Sequence, residues 1–202
     1  MTTPPGLVGV LGLQGDIPEH FAMARRLVGP GRVREVKGPE DLSGVAALLL
    51  PGGESTTLSR LLDDTGLRGP LGERLRRGLP CLATCAGLIL IAREVERSPH
   101  GRDPVPLGIL PVKVRRNDYG RQAESFEAPL AIRGLDGGDF PAVFIRAPRI
   151  VSVDEGVEIL AHHRGEPVAV RQGRLWGLTF HPEISEDPRV HAHFLREAGL
   201  LP

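Results

Sequence analysis

Cys85 lies where two apolar runs meet. Leu79 to Ala83 leads into Thr84-Cys85-Ala86-Gly87, and a second apolar run continues to Ala92. This reads as strand, sharp turn and helix, the arrangement of a nucleophile elbow, in which a strained turn holds a reactive side chain at the carboxyl end of a strand. Ala83, Ala86 and Gly87 are small, as a tight bend open to a substrate requires. At the start of a helix, the dipole and the free N–H groups favour a thiolate over a thiol. A lone cysteine is more often a buried core residue, but a cysteine nucleophile also needs a base, and Phe180-His181-Pro182-Glu183 offers one. Pro182 biases His181 towards extended backbone. Positions two apart then point the same way, so the Glu183 carboxylate can fix the tautomer of the His181 imidazole. A third component is Pro51-Gly52-Gly53-Glu54. Its glycines let backbone N–H groups approach a developing oxyanion closely. No Gly-Lys-Ser/Thr follows, which argues against a nucleotide P-loop. Ser55, Thr56 and Thr57 are expected to cap the helix that comes next. Together the three segments point to a Cys-His-Glu triad beside an oxyanion loop.

These groups need elements to hold them. Leu7 to Leu13 is a continuous apolar run, as expected of a strand covered on both faces. A helix from Pro18 to about Val28 follows, then short strands at Val33 to Val36 and Val45 to Leu50, with the Gly52-Gly53 loop at the end of the latter. Helices are expected through about Leu62 and over Leu67 to Arg77, ahead of the elbow. Strands alternating with helices imply a parallel sheet covered on both faces. After Pro99 the pattern changes. Gly101 to Leu110 reads as loop. Val112–Arg115, Phe126–Ile132, Ala142–Ile145, Val151–Val153, Val157–Ala161, Val168–Arg171 and Leu175–Thr179 read as strands without intervening helices. A final helix spans about Pro188 to Ala198. The expected fold class is α/β, one domain over residues 1–202, with a mostly parallel central sheet, flanking helices and a β-rich second half.

Composition narrows the function classes. Acidic and basic residues balance at 25 each over 202 residues, so no net field favours nucleic acid or an anionic membrane. No apolar run approaches the ~20 residues of a membrane helix, and no basic region precedes Leu7, so neither a membrane span nor a signal peptide is expected. Two cysteines give no disulfide framework, which fits a reducing cytoplasm. No metal-ligand set is visible. His162 and His163 are adjacent, and His191 and His193, two apart on the last helix, do not share a face, so surface or packing roles are expected. Cys81 reads as a buried apolar residue.

The chain resembles class I glutamine amidotransferase domains, and more specifically the family of glutaminase subunits of pyridoxal 5′-phosphate synthase. The resemblance rests on Gly9-Val-Leu-Gly-Leu-Gln-Gly15, Pro51-Gly-Gly-Glu-Ser-Thr-Thr57, Thr84-Cys-Ala-Gly-Leu-Ile89, Arg116-Asn-Asp-Tyr-Gly-Arg-Gln122 with Ser125-Phe-Glu127, Phe144-Ile-Arg-Ala-Pro148 and Thr179-Phe-His-Pro-Glu183. It implies the class I amidotransferase fold and hydrolysis of L-glutamine to glutamate and ammonia without cofactor or metal. Cys85 would be the nucleophile, His181 the acid/base and Glu183 its orienting partner. The amides of Gly53 and Ala86 would form the oxyanion hole, and Gly52, Gly53, Glu54, Arg116, Ile145 and Arg146 would bind glutamine. Arginine suits a carboxylate because its guanidinium is a planar fork of donors; a structural ion pair is the alternative for Arg116 and Arg146. The resemblance also implies a partner, a (β/α)₈ synthase subunit that receives the ammonia and activates the glutaminase, in a complex of twelve plus twelve subunits. Two positions depart from the family: Ala83, often glycine, and Arg149, usually histidine. Two other readings are a glutaminase serving another biosynthetic pathway, such as that of histidine, and a non-enzymatic redox sensor of the same superfold.

Overall fold

The computed structural model describes residues 6–96, 103–116 and 125–202. Its centre is a seven-stranded sheet. The strands are β1 (Leu7–Leu11), β2 (Val33–Val36), β3 (Val45–Leu50), β4 (Cys81–Thr84), β10 (Glu158–His163), β11 (Glu166–Gln172) and β12 (Leu175–Leu178), in the order β10-β11-β12-β4-β3-β1-β2. From β12 to β2 every pairing is parallel, and β10, β11 and β12 pair antiparallel. The expected mostly parallel sheet with a β-rich second half is what forms, and the second half supplies its antiparallel strands.

The unbroken apolar runs are explained by alternation. In β3, Val45, Leu48 and Leu50 face one core while Ala47 and Leu49 face the other; in β4, Cys81 and Ala83 face the first and Leu82 the second. Helices α2 (Ser55–Asp64), α3 (Arg68–Arg76) and α4 (Ala86–Ile91) contribute to the first core. Helices α1 (Ile17–Val28) and α5 (Arg189–Glu197) contribute to the second, with the antiparallel pair β7 (Phe126–Leu130) and β8 (Phe140–Phe144). Each fully buried Leu or Phe contributes about 1.5–3 kcal/mol by leaving water, so a sheet with two covered faces concentrates stabilisation in the strands that carry the site. No described helix is long and apolar enough to cross a membrane.

The structure departs from the sequence reading in four places. The elbow helix stops at Ile91, and the chain turns directly into β5 (Ala92–Val95), a strand the sequence reading did not contain. β5 pairs parallel with β6 (Leu110–Arg115), which pairs antiparallel with β9 (Arg149–Val153), making a separate three-stranded sheet. The strand expected over Ala142–Ile145 runs from Phe140 to Phe144. The backbone after His181 is not extended: residues 182–184 form a turn, closed by a 3.4 Å bond from the Ile184 N–H to the His181 carbonyl. The resembling segment beyond Arg116 lies outside the described residues up to position 124.

Parallel pairing aligns the carboxyl ends of β12, β4, β3 and β1 along one edge. Ligand crevices in open α/β sheets lie at that edge. Gly87 lets α4 leave it at a sharp angle, since a Cβ there would collide with the Leu50 carbonyl oxygen and lie 2.9 Å from the Leu50 Cβ. Gly87→Ala must therefore push β3 and α4 apart. The expected loss is about 1–3 kcal/mol, read as a lower midpoint in urea unfolding followed by circular dichroism.

Candidate active site

Cys85 caps the start of α4 with φ +47° and ψ −103°, a conformation rarely adopted by a residue with a side chain. Its N–H donates to the Leu178 carbonyl at 2.8 Å, tying the elbow to the neighbouring strand. Such strain costs on the order of 1–3 kcal/mol and persists only where the surroundings impose it. Here β12 on one side and the first turn of α4 on the other do so. The thiol points towards the Ile145 carbonyl oxygen, 3.9 Å away. Arg146, next in the chain, also has positive φ, +43°.

His181 leaves the end of β12 beside this thiol. Its Nδ1 is 2.8 Å from Glu183 Oε1 and 3.1 Å from Asp16 Oδ2. The turn at 182–184 brings Glu183 onto the ring, so the expected pairing forms by a different backbone path. Two carboxylates at Nδ1 place the ring proton there and leave Nε2 for exchange. Nε2 is buried, without a partner in full hydrogen-bond geometry, and the Cys85 thiol lies close enough to raise the ring's affinity for a proton. Burial works against the imidazolium, but the neighbouring Asp16, Cys85 and Glu183 outweigh it and hold the His181 pKa well above the usual histidine value. Burial likewise opposes the Glu183 carboxylate, and interactions with His20 and His181 prevail, holding it well below the usual carboxylate range.

Gly52 packs against the ring. A Cβ there would strike His181 Cε1 and stand 2.8 Å from Asp16 Oδ2. The glycine is thus required by the imidazole, a reason the sequence reading did not contain. The Gly52 carbonyl accepts from the Asp16 N–H at 3.2 Å, which fixes the Gly52–Gly53 peptide; that peptide is trans, so the Gly53 N–H points away from Asp16. Ala86 is the first residue of α4, and first-turn amides have no partner within their helix.

Asp16, Gly53, Glu54, Ser55, Cys85, Ile89, Arg116, Ile145, Arg146 and His181 line one cavity of about 160 Å³. That is below the ~300–1,000 Å³ of drug-sized sites and suits one small metabolite. Glu54, rather than Ser55, Thr56 or Thr57, caps α2: its carboxylate accepts from the Thr56 N–H at 3.1 Å and the Thr57 N–H at 2.6 Å. Burial opposes the anion there too, and these bonds outweigh it, lowering the Glu54 pKa. Glu54 also meets Arg116 Nη2 at 3.3 Å, and Arg116 Nη1 is 3.8 Å from Asp103. Arg116 therefore both lines the cavity and sits in an ion-pair network. Arg149 lies away from the cavity lining and pairs with Glu166 at 2.6 Å.

The structure brings together Cys85, His181, Glu183, Gly52, Gly53, Glu54, Arg116, Ile145 and Arg146, with Ala86 beside Cys85. Sequence reasoning missed Asp16 and His20. An acidic residue after the first strand's carboxyl end was the available signal for Asp16. Asp16, His181 and Glu183 also form the one group of described residues compact enough to hold a metal ion. Their contacts are complementary without one, since the imidazole donates and the carboxylates accept. His163 packs on Phe126 and Phe144, and His193 on Trp176, as the packing role expected for them requires. Burial pushes the Cys81 thiol up, far from reactivity.

A family model described as the SNO glutamine amidotransferase family matches residues 10–199. The pyridoxal 5′-phosphate synthase subunit PdxT of Thermotoga neapolitana is 46% identical over 188 residues, 93% of this chain and 97% of that protein. Its counterpart of the same name in Bacillus velezensis is 47% identical over 191 residues, 95% and 94% of the two chains. A crystal structure titled as a glutamine amidotransferase superposes with a TM-score of 0.86 at 45% identity, covering 96% of this chain and all of the other. The chain belongs to the SNO glutamine amidotransferase family.

Two outcomes follow from this geometry. Gly52→Ala displaces the imidazole and should lower turnover about 100-fold while circular dichroism shows the fold retained. Asp16 helps to raise the His181 pKa, so Asp16→Asn should let His181 release its proton at lower pH. An imidazole NMR titration checks this, and an unchanged titration would remove Asp16 from the ring's electrostatics.

Proposed function

We propose that Cys85, His181 and Glu183 hydrolyse the side-chain amide of L-glutamine. The observation that supports this most directly is the His181 ring, bound through Nδ1 to Glu183 at 2.8 Å with Nε2 left on the side of Cys85. The protein is a glutamine amidotransferase, the glutaminase subunit of a pyridoxal 5′-phosphate synthase. Residues 1–202 act as one glutaminase domain.

In the first half-reaction His181 Nε2 takes the Cys85 thiol proton, and the sulfur attacks the amide carbon and forms the C–S bond, moving the carbonyl π pair to oxygen. The amides of Gly53 and Ala86 hold that oxyanion; one such donor is typically worth about 3 kcal/mol. Collapse breaks the C–N bond, and His181 Nε2–H gives its proton to the nitrogen, releasing ammonia and a γ-glutamyl thioester. In the second, water loses a proton to Nε2 as its oxygen attacks. The C–S bond breaks, and glutamate leaves. A high imidazole pKa keeps the leaving-group proton available in the first half-reaction.

The other end of glutamine is a zwitterion. Arg116 and Arg146 supply donors for its carboxylate, and Glu54, held ionised by the amides of α2, offers an acceptor for its ammonium. Gly52 contributes by letting the His181 ring stand close to the substrate loop. The ammonia passes to a separate synthase subunit in a twelve-plus-twelve complex, in the cytoplasm, where two free cysteines stay reduced.

The test mixes the purified chain with a pyridoxal 5′-phosphate synthase subunit and measures glutamate release. Stimulation by the partner, with a loss of at least about 10³-fold in Cys85→Ala, is the expected result. Retained turnover in Cys85→Ala would remove the nucleophile assignment. Hydrolysis indifferent to the partner would remove the pathway.

A further inference from the structure

Behind the proposed triad lies a second polar chain that the hydrolysis scheme does not use. His20 of α1 and His191 of α5 have no exposed surface. His20 Nδ1 is 3.2 Å from His191 Nε2. His20 Nε2 is 3.1 Å from Thr84 Oγ1 and 3.4 Å from Glu183 Oε2. Thr84, next to the nucleophile, is also 3.4 Å from Glu183 Oε1. Glu183 Oε2 is buried without a bond of full geometry, so His20 is the polar group that faces it.

The proton positions follow from what each atom meets. An ionised carboxylate facing an unprotonated Nε2 would oppose lone pair to lone pair, so the His20 proton belongs on Nε2, shared between Glu183 and Thr84. His20 Nδ1 then accepts, and the donor it meets is His191 Nε2–H. That leaves the buried, partnerless His191 Nδ1 as a bare lone pair, and a proton on it would leave a donor stranded in the core instead. Burial, with His20 nearby, holds the His191 imidazole down to about 3, so this ring stays neutral.

We propose that His20 is a positioning residue of glutamine hydrolysis, holding the second oxygen of Glu183 through its Nε2–H while His191 holds its own Nδ1. This rests on the assignment of Cys85, His181 and Glu183 above. A carboxylate tethered at one oxygen rotates about its terminal bond, and His181 rotates with it; a donor on Oε2 stops that rotation. The chain therefore runs from α5 through α1 to the nucleophile, His191 to His20 to Glu183 to His181 to Cys85. The other groups facing it are Thr84 at the carboxylate and Asp16 at His181. Outer partners of this kind typically change activity about 10–100-fold when removed.

The experiment compares wild type, His20→Phe and His20→Gln, each assembled with a pyridoxal 5′-phosphate synthase subunit, with Cys85→Ala as the blank. His20→Phe should lower kcat about tenfold with little change in KM. In parallel, ¹³C NMR follows the Glu183 carboxyl carbon, assigned with Glu183→Gln. Loss of the donor should raise the pH at which this carboxylate takes up a proton, and His20→Gln, which keeps an N–H, should move it back towards wild type. A space-filling role for His20 would leave that titration where it is. A folded His20→Phe with wild-type kcat and carboxyl titration overturns the proposal. If His20→Phe does not fold, ¹⁵N NMR of the wild-type imidazoles decides: Nε2–H on both His20 and His191 is expected, and Nδ1–H on His20 overturns it. Glutamine turnover by Cys85→Ala would overturn the triad itself and this proposal with it, a result distinct from failure of His20 alone.

Discussion

A carboxylate with no exposed surface governs this structure. Removing a charge from water costs several kcal/mol even after the protein relaxes, and Glu183 stands entirely inside. It stays ionised because His181, His20 and Thr84 surround it. Each comes from a different element: the end of β12, the first turn of α1 and the end of β4. Satisfying one buried anion therefore docks α1 against the sheet at a set depth, and α5 follows through His191. The polar chain and the second core enforce one another, since Ala24 and Val28 of α1 and Val190 and Phe194 of α5 pack in that same core.

The sheet supplies what the anion cannot, a rigid edge. Four parallel strands end side by side, and each delivers one component: Asp16 after β1, Gly52 and Gly53 after β3, Cys85 after β4, His181 after β12. Close approach at that edge is achieved by leaving side chains out. Gly52 makes room for the imidazole and Gly87 for the Leu50 carbonyl. The strained cysteine is the counterpart of these vacancies. Its positive φ is held by a strand bond to Leu178 and by the helix it begins.

The proposed triad was legible because its signals are local. Small residues around Cys85, the proline after His181 and paired glycines after an apolar strand each report a backbone requirement within a few positions. The parallel sheet was legible for the same reason, since strands covered on both faces lack polar positions. Residues placed by tertiary docking were not legible. His20 reaches Glu183 across 163 positions of sequence and His191 across 171, and nothing in the polar spacing of α1 distinguishes His20 from a surface histidine. β5 was missed because α4 turns into it without a breaker: Ala92 reads as a continuing apolar helix. Glu54 was read as a ligand residue, and its second task, capping α2, follows only from carboxylate geometry. The pairing of His181 with Glu183 was anticipated from extended backbone and arises instead from a turn.

The charge pattern of the cavity bears on the redox alternative. A thiol that merely senses oxidants needs access and a low pKa; it does not need a neighbouring cleft carrying both signs of charge. Here Arg116 and Arg146 line the same small volume as Glu54. Arg116 and Glu54 already meet each other, so the cleft is close to neutral overall and locally dipolar. A simple anion would gain from the arginines and be repelled by Glu54. An amino-acid zwitterion can bring its carboxylate to the guanidinium groups and its ammonium to Glu54, sharing an existing ion pair instead of opposing it. Its side chain then extends towards Cys85, whose sulfur lies against the Ile145 carbonyl at the cavity wall. The dipolar mouth and the Cys85 thiol line one cavity, and an amino acid with a reactive carbonyl at the end of its side chain fits both.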